Sequence, residues 1–388
     1  MPLRFLTAGE SHGPGLTAIV EGFPAGVRID VGAINRDLKR RMGGYGRGGR
    51  MKIEQDEVEL RGGVRWGESL GSPITLWIEN RDWKNWQKKM SPLPEDRDPS
   101  LAVTRPRPGH ADLAGVLKYN HRDVRNILER ASARETAARV AAGGIAKALL
   151  APFGIRVFAW VAEIGGIVAQ HGGLSAEDIA ARAEESPVRV ADRDAERRII
   201  ERIDECKAAG DTLGGVVETA AVGLPPGLGS HAQWDRKLDG LLAQALMSIQ
   251  AAKGVEIGLG FEAARRPGSK VHDEIHFDED SRQFERRTNY AGGTEGGMTS
   301  GGPLVVRTAF KPLSTLMSPL QSVDIETKGE AKGTIERSDV VAIPAAAVIT
   351  ESVVAFVIAQ VFLEKFGGDS LAEIHRNVEG YLEHVRSF

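Results

Sequence analysis

Apolar residues alternate with polar ones in short runs, most of them bounded by glycine or proline. Such runs predict strands at 16–21, 58–60, 74–79, 157–164, 215–222, 255–261 and 304–310. Helical periodicity appears between them. The clearest case is 132–150, which opens on Ser132-Ala-Arg-Glu135 and stops at Pro152 and Gly154. The opening predicts a capping box, in which serine and glutamate satisfy each other's backbone donors. Gly143-Gly144 in its middle would cost about 1 kcal/mol each on an exposed helix, so close backbone packing is expected there. Further helices are predicted at 35–41, 193–209, 234–250 and 344–366. The most apolar window, 340–363, is interrupted by Pro344 and by Thr350-Glu351-Ser352, which predicts a buried core helix and not a membrane span.

One pattern occurs twice. A strand runs into Gly22-Phe-Pro-Ala-Gly26, and another into Gly223-Leu-Pro-Pro-Gly227; each is followed by an aspartate and a basic, leucine-containing helix. The expected organisation is one domain over 1–388 with two similar βα halves, roughly 1–210 and 211–388. Chance recurrence of a single turn is the competing reading. Segment 80–109 holds Trp83, Trp86 and five prolines, a long excursion of the kind that is usually functional or mobile.

The chain has 388 residues, 41% hydrophobic, with a net charge of −3. That supports a large core and excludes a generally polyanion-binding surface, so any basic site must be local. One stretch is basic against this average: Arg40-Arg-Met-Gly-Gly-Tyr-Gly-Arg-Gly-Gly-Arg50. Arginine–glycine segments with an aromatic can bind single-stranded RNA, but one such stretch in a long, well-patterned acidic chain argues against nucleic acid. A single cysteine, Cys206, excludes an internal disulfide framework and suits a reducing cytoplasm. The N-terminus carries no apolar run of signal-peptide length. A soluble, cytoplasmic protein is expected.

Glycine-rich loops at 9–13, 105–112, 289–302 and 311–315 match neither a GxGxxG dinucleotide turn nor a GxxxxGK[ST] phosphate loop. Glycine lets backbone N–H groups approach an anion, and arginine adds bidentate recognition. Arg41, Arg47, Arg50, Arg107, Arg130, Arg134 and Arg337 together could hold a small polyanion, although each alone could be a solvated surface residue. His12 and His110 sit in glycine turns, where an imidazole can face a pocket and move protons near neutral pH. No histidine or cysteine spacing suggests a metal. His272 and His276 read as surface residues, and Ser11 lacks the setting of a nucleophile elbow.

The residues Gly9-Glu-Ser-His-Gly13, Arg107-Pro-Gly-His-Ala-Asp112, Arg130-Ala-Ser-Ala-Arg-Glu-Thr136, Lys253-Gly-Val-Glu-Ile-Gly258, Gly292-Gly-Thr-Glu-Gly-Gly297, Lys311-Pro-Leu-Ser-Thr315 and Arg337-Ser-Asp339 resemble the signatures of the chorismate synthase family. They stand in the family's order over nearly the whole chain. The resemblance implies an α+β fold, a β-α-β sandwich with internal pseudo-duplication, assembled as a homotetramer. It implies a lyase that converts 5-enolpyruvylshikimate 3-phosphate to chorismate and phosphate by 1,4-anti elimination, at the end of the shikimate pathway. It also implies a requirement for reduced FMN without net redox change. NADPH would act only as an indirect reductant, through an external flavin reductase.

By the same resemblance His12 and His110 are proton donors, and Asp339 assists proton removal. Arg41, Arg47, Arg50, Arg107, Ser132, Arg134 and Arg337 bind substrate; Arg41 and Arg47 also match positions that the family assigns to NADP. Flavin contacts map to Arg130, Ala131, Ser132, Gln250, Ala251, Gly296, Lys311, Pro312, Leu313, Ser314, Thr315 and Arg337. Two departures stand out: Ser338 where many members carry histidine, and Gln250 where others carry asparagine. A flavin-dependent oxidoreductase is the rival class of enzyme. The glycine–arginine stretch at 40–50 is expected to be a lid over bound anions, ordering when ligands bind.

Overall fold

The computed structural model describes residues 2–47, 55–280, 282–336 and 339–388. Arg50, Arg337 and Ser338, and the far end of the glycine–arginine stretch, lie outside the described residues. A four-stranded sheet takes β1 (Arg4–Ala8), β2 (Gly15–Glu21), β3 (Val58–Gly62) and β4 (Ile74–Glu79) in the order β1-β2-β4-β3. A five-stranded sheet takes β5 (Arg156–Ile164), β6 (Ile167–Val168), β7 (Gly215–Val222), β8 (Ala252–Ile257) and β9 (Leu304–Phe310) in the order β8-β9-β7-β5-β6. Neighbours in both sheets are antiparallel. Each sheet keeps the period-2 alternation: Ile74, Leu76 and Ile78 of β4 are buried, as are Leu304, Val306 and Phe310 of β9.

The helices are α1 (Val31–Met42), α2 (Asp112–Tyr119), α3 (Arg125–Ala131), α4 (Thr136–Leu150), α5 (Ala176–Glu184), α6 (Arg193–Ala208), α7 (Leu238–Met247), α8 (Ile343–Phe366) and α9 (Leu371–Ser387). α4 packs on β2 and β4, α8 packs on β5 and β7, and the two helices pack on each other. The mixture of helix and sheet is the expected α+β class. α8 is apolar on every side, which is the signature of a helix buried all round; its apolar window is 89% buried.

Gly143 is where α4 meets α8. A Cβ there would lie 2.4 Å from Ser352 Cβ and 2.7 Å from its backbone. The close packing expected of the glycine pair is therefore met. Gly143→Ala, which would stabilise an exposed helix, is expected to destabilise this protein by about 2–3 kcal/mol, measured by urea denaturation.

The repeated turns adopt the same backbone. Gly22 and Gly26 have φ of 77° and 79°, and Gly223 and Gly227 have 77° and 82°. Elsewhere the local reading needs correction. Ser132 accepts from the backbone N–H of Arg134, but Glu135 does not return to cap Ser132. Its carboxylate instead takes Thr7, Arg139 and Gln250, and α4 starts at Thr136 after a 3-10 turn. A capping box does form at Ser370 and Glu373. The strand expected to reach 261 ends at Ile257, because Gly258 turns with φ of 57° against Tyr290 and Gly292. The helix expected over 234–250 divides into a 3-10 turn (Trp234–Arg236) and α7.

Inside the helical layer, Glu351 of α8 accepts from Arg40 of α1 and from Lys147 of α4. Asp37 closes the network onto the same two cations. Burial alone would raise the Glu351 carboxyl, but Lys147 and Arg40 outweigh it and hold it below the ordinary carboxylate range. An unfolded glutamate titrates near 4.3. A depressed folded value means the stabilisation is present above the unfolded value and lost as pH falls through the folded one. Acid unfolding is expected to set in below about pH 4.3, and Glu351→Gln should flatten the loss of stability below that point. Thermal midpoints measured across that window check this.

Candidate active site

A cavity of about 880 Å³ opens where α1, α3, α4, α8 and the loops at 9–13, 80–90, 107–111 and 311–317 meet. Its size lies in the upper part of the range for small-molecule sites, about 300–1,000 Å³. His12, His110 and Asp339 all line it, as do Arg41, Arg47, Arg107 and Arg134. Residues nearly 330 positions apart in sequence thus share one space.

The turn between β1 and β2 carries His12. Gly9 there has φ of 106°, and a Cβ on it would come within 2.3 Å of the Gly15 carbonyl oxygen, so the turn needs glycine. Nδ1 of His12 lies 3.0 and 2.9 Å from the two carboxylate oxygens of Glu129, and the imidazole stacks on Trp86 at 3.8 Å. Burial would raise the Glu129 carboxyl, but the hydrogen bond and charge of His12, with Arg125, keep it below its usual range. Part of the long 80–109 excursion reaches the cavity: Trp86, held by its Nε1–H to Asp82, forms a wall of it.

The second histidine lining the cavity is also paired with a carboxylate. His110 Nδ1 meets Asp112, whose other oxygen accepts from Arg107 Nε at 2.9 Å and from the Arg107 backbone N–H at 3.0 Å. Burial works to raise Asp112, yet the His110 and Arg107 hydrogen bonds drive it well below the ordinary carboxylate range. Arg107 also donates to Thr315 at 2.9 Å. The expected substrate clamp is thus largely engaged in holding Asp112 and the 311–315 loop.

Arg41 and Arg134 share Asp56, whose side chain is fully buried. Arg41 also donates to Thr136 (3.0 Å) and the Ala133 carbonyl (3.1 Å), and Arg134 to Asn80 Oδ1 (3.0 and 2.8 Å). Asn80 then ties this group to the His12 turn by donating to the Gly13 carbonyl at 2.7 Å. Burial, opposed by Asp56 but reinforced by the charges of Arg134 and Arg47, pulls Arg41 down to about 10; it remains a cation at neutral pH. Two cations on one carboxylate leave a positive charge in a desolvated wall, which is a setting for an anion. Arg47 pairs with Asp339 at 2.8 Å, and its loop is docked by Val340 N–H to the Gly46 carbonyl. Lys311 donates to the Gly109 carbonyl; burial, then the charge of Lys253, lowers it.

Of the residues expected at the flavin, Ala131, Ser132, Gln250, Ala251, Lys311, Leu313, Ser314 and Thr315 line the cavity. Ser132 Oγ donates to Ser11 Oγ. Gln250 donates to Glu135, while its Oε1 is buried without a partner, an acceptor suited to a ligand N–H. Ala251 holds φ of 69°, a strained value for a residue with a Cβ. Three expected residues do not line this space. Arg130 folds back onto the Thr7 and Gly9 carbonyls. Gly296 lies in a short hairpin beside His231, and Pro312 is absent from the wall. Among the described residues no cluster has the composition of a metal site, and Cys206 is buried on α6, away from the cavity.

Asp56, Asn80, Trp86, Glu129 and Asp112 carry much of this geometry, and motif reading gave none of them a role. Two of them had a signal: Asp112 by its place two residues after His110, and Trp86 by its place in the long 80–109 excursion.

Comparison with known proteins agrees with the motif reading. The sequence profile described as chorismate synthase matches residues 3–363. The chorismate synthase of Geobacter metallireducens is 62% identical, with all of both chains covered. That of Symbiobacterium thermophilum is 63% identical over 99% of each. A crystal structure of a chorismate synthase superposes with a TM-score of 0.81 at 45% identity, covering 100% of this chain and 99% of the other. On this evidence the chain is a lyase and belongs to the chorismate synthase family.

Proposed function

We propose that the cavity binds 5-enolpyruvylshikimate 3-phosphate together with reduced FMN and eliminates phosphate and the C6 proton in a 1,4-anti sense, giving chorismate. One observation carries the reading: in a chain of this family, His12, His110 and Asp339 face the same cavity as four arginines. The substrate has two carboxylates and a phosphate, so a positive, desolvated wall is what it needs. Arg41 and Arg134, sharing Asp56, supply a fixed positive field. Arg47, and Arg50 and Arg337 by family position, complete the anion contacts.

The residues present fit a flavin. Gln250 offers a buried acceptor, Ser132 and Ser314 offer hydroxyls, and Ala131, Ala251 and Leu313 offer apolar wall. Reduced FMN would supply electron density beside the substrate as the C–O bond breaks, with no net redox change. The chain's own part is proton handling. The C3–O bond breaks with its electron pair leaving on phosphate, and one histidine donates a proton to that oxygen. The C6 proton leaves at the other end, assisted by Asp339, and the second histidine keeps the flavin side protonated.

The same proposal takes the fold as a β-α-β sandwich with pseudo-duplicated halves, roughly 1–210 and 211–388. The matched φ values of the two Gly-x-Pro-x-Gly turns support it; β5 and β6 of the first half then complete the sheet of the second. A homotetramer is part of the same reading; Leu6 and Ile19, exposed apolar residues paired across β1 and β2, form a small apolar face that a second copy would cover. We further take the protein to be cytoplasmic, with NADPH acting only through an external flavin reductase. Stoichiometry tests the class of reaction: reduced FMN should be needed in catalytic amount, with no NADPH oxidised per product. One reductant consumed per product would identify an oxidoreductase instead.

A further inference from the structure

Glu129 organises the His12 turn from outside it. Its side chain is 1% exposed on α3. One carboxylate oxygen accepts the His12 backbone N–H at 2.9 Å, and its own carbonyl accepts the Ser11 N–H at 3.1 Å. Arg125 donates to the other carboxylate oxygen at 3.0 Å. Trp86 covers the imidazole face with its ring inclined by 24°. The arrangement of arginine, buried carboxylate and histidine Nδ1 recurs at Arg107, Asp112 and His110 on a different loop. The two differ in one respect: Arg107 Nη2 also lies 3.1 Å from His110 Nδ1, whereas Nδ1 of His12 meets the two carboxylate oxygens of Glu129.

An ionised carboxylate can only accept hydrogen bonds, so Nδ1 of His12 must carry a hydrogen. The nitrogen left to exchange a proton with a ligand is Nε2. We propose that Glu129 is a positioning residue that, with Trp86, fixes His12 in the Nδ1–H form and dedicates Nε2 to proton transfer in the cavity. This rests on His12 being a proton donor, as proposed above. Nε2 can donate only while the ring carries hydrogens on both nitrogens. The other charged groups around His12 are Arg125, its second partner Glu336, Lys89 and Asp82 at Trp86, and Glu10 on the same turn.

Two measurements decide it. In the ligand-free full-length protein, nitrogen NMR of labelled histidine, with His12 assigned by His12→Gln, should show the neutral ring protonated at Nδ1. A ring protonated at Nε2 overturns the proposal, and this readout stands whether or not the protein turns over substrate. In Glu129→Gln the charge is lost while an acceptor remains. Its kcat should fall about tenfold, and the alkaline limb of the kcat profile should move about one pH unit lower, with KM within about twofold of the parent. A fall in kcat with an unmoved limb would mean that Glu129 only supports the turn. If Glu129→Gln does not fold, the NMR result alone decides.

Discussion

Replacing His110 by alanine should lower kcat by about 100-fold or more while leaving the fold intact. The side chain is 17% exposed and faces the cavity, so its loss opens no void in the core. Asp112 keeps its three Arg107 hydrogen bonds in the variant, and the 107–112 turn retains its shape. The defect should therefore fall on kcat more than on KM, as for a group whose interaction strengthens in the transition state. His12→Ala should do the same, since its removal leaves Glu129 paired with Arg125. Anaerobic single-turnover rates, with circular dichroism as the control for folding, check both. A rate within threefold of the parent would remove that histidine from proton transfer.

Asp56→Ala should carry the largest cost in stability. It strips Arg41 and Arg134, 5% and 7% exposed, of the carboxylate they share. Leaving a buried charge without its partner costs about 3–5 kcal/mol. Because the two guanidinium groups line the cavity, an added anion should replace part of what was lost. We expect guanidinium-free urea midpoints to fall sharply in Asp56→Ala and to recover partly in phosphate, whereas the parent gains less from the same addition. Equal gains in both proteins would mean that the two arginines do not face the anion site.

How much of this could be read from the chain depends on distance in sequence. Strands of period 2, such as β4 and β9, and the predominantly apolar α8 were legible because burial is written locally in their composition. The Gly143 contact was legible for a similar reason, since a helix tolerates paired glycines only where another backbone comes close. Short elements were not. β1 has only five residues, with alternate positions exposed, and depends on pairing with β2. Glu135 looked like a cap because its spacing from Ser132 is right, but Thr7, Arg139 and Gln250 compete for it from elsewhere in the fold.

At the site, His12, His110 and the arginines stood out because glycine turns and basic clusters are unusual in an acidic chain. Their partners were silent. Asp56, Asn80 and Glu129 are ordinary residues until folding brings them to Arg134, Gly13 and His12, which lie 78, 67 and 117 positions away in the chain. Arg107 illustrates the converse: its motif is conspicuous, yet folding directs much of its guanidinium to Asp112 and Thr315.

The central claim is that this cavity performs the elimination. The purified protein, given 5-enolpyruvylshikimate 3-phosphate and dithionite-reduced FMN without oxygen, should form chorismate and inorganic phosphate in equal amounts. Chorismate is followed by its ultraviolet absorbance and phosphate by direct assay. Neither product, or phosphate without chorismate, would contradict the account.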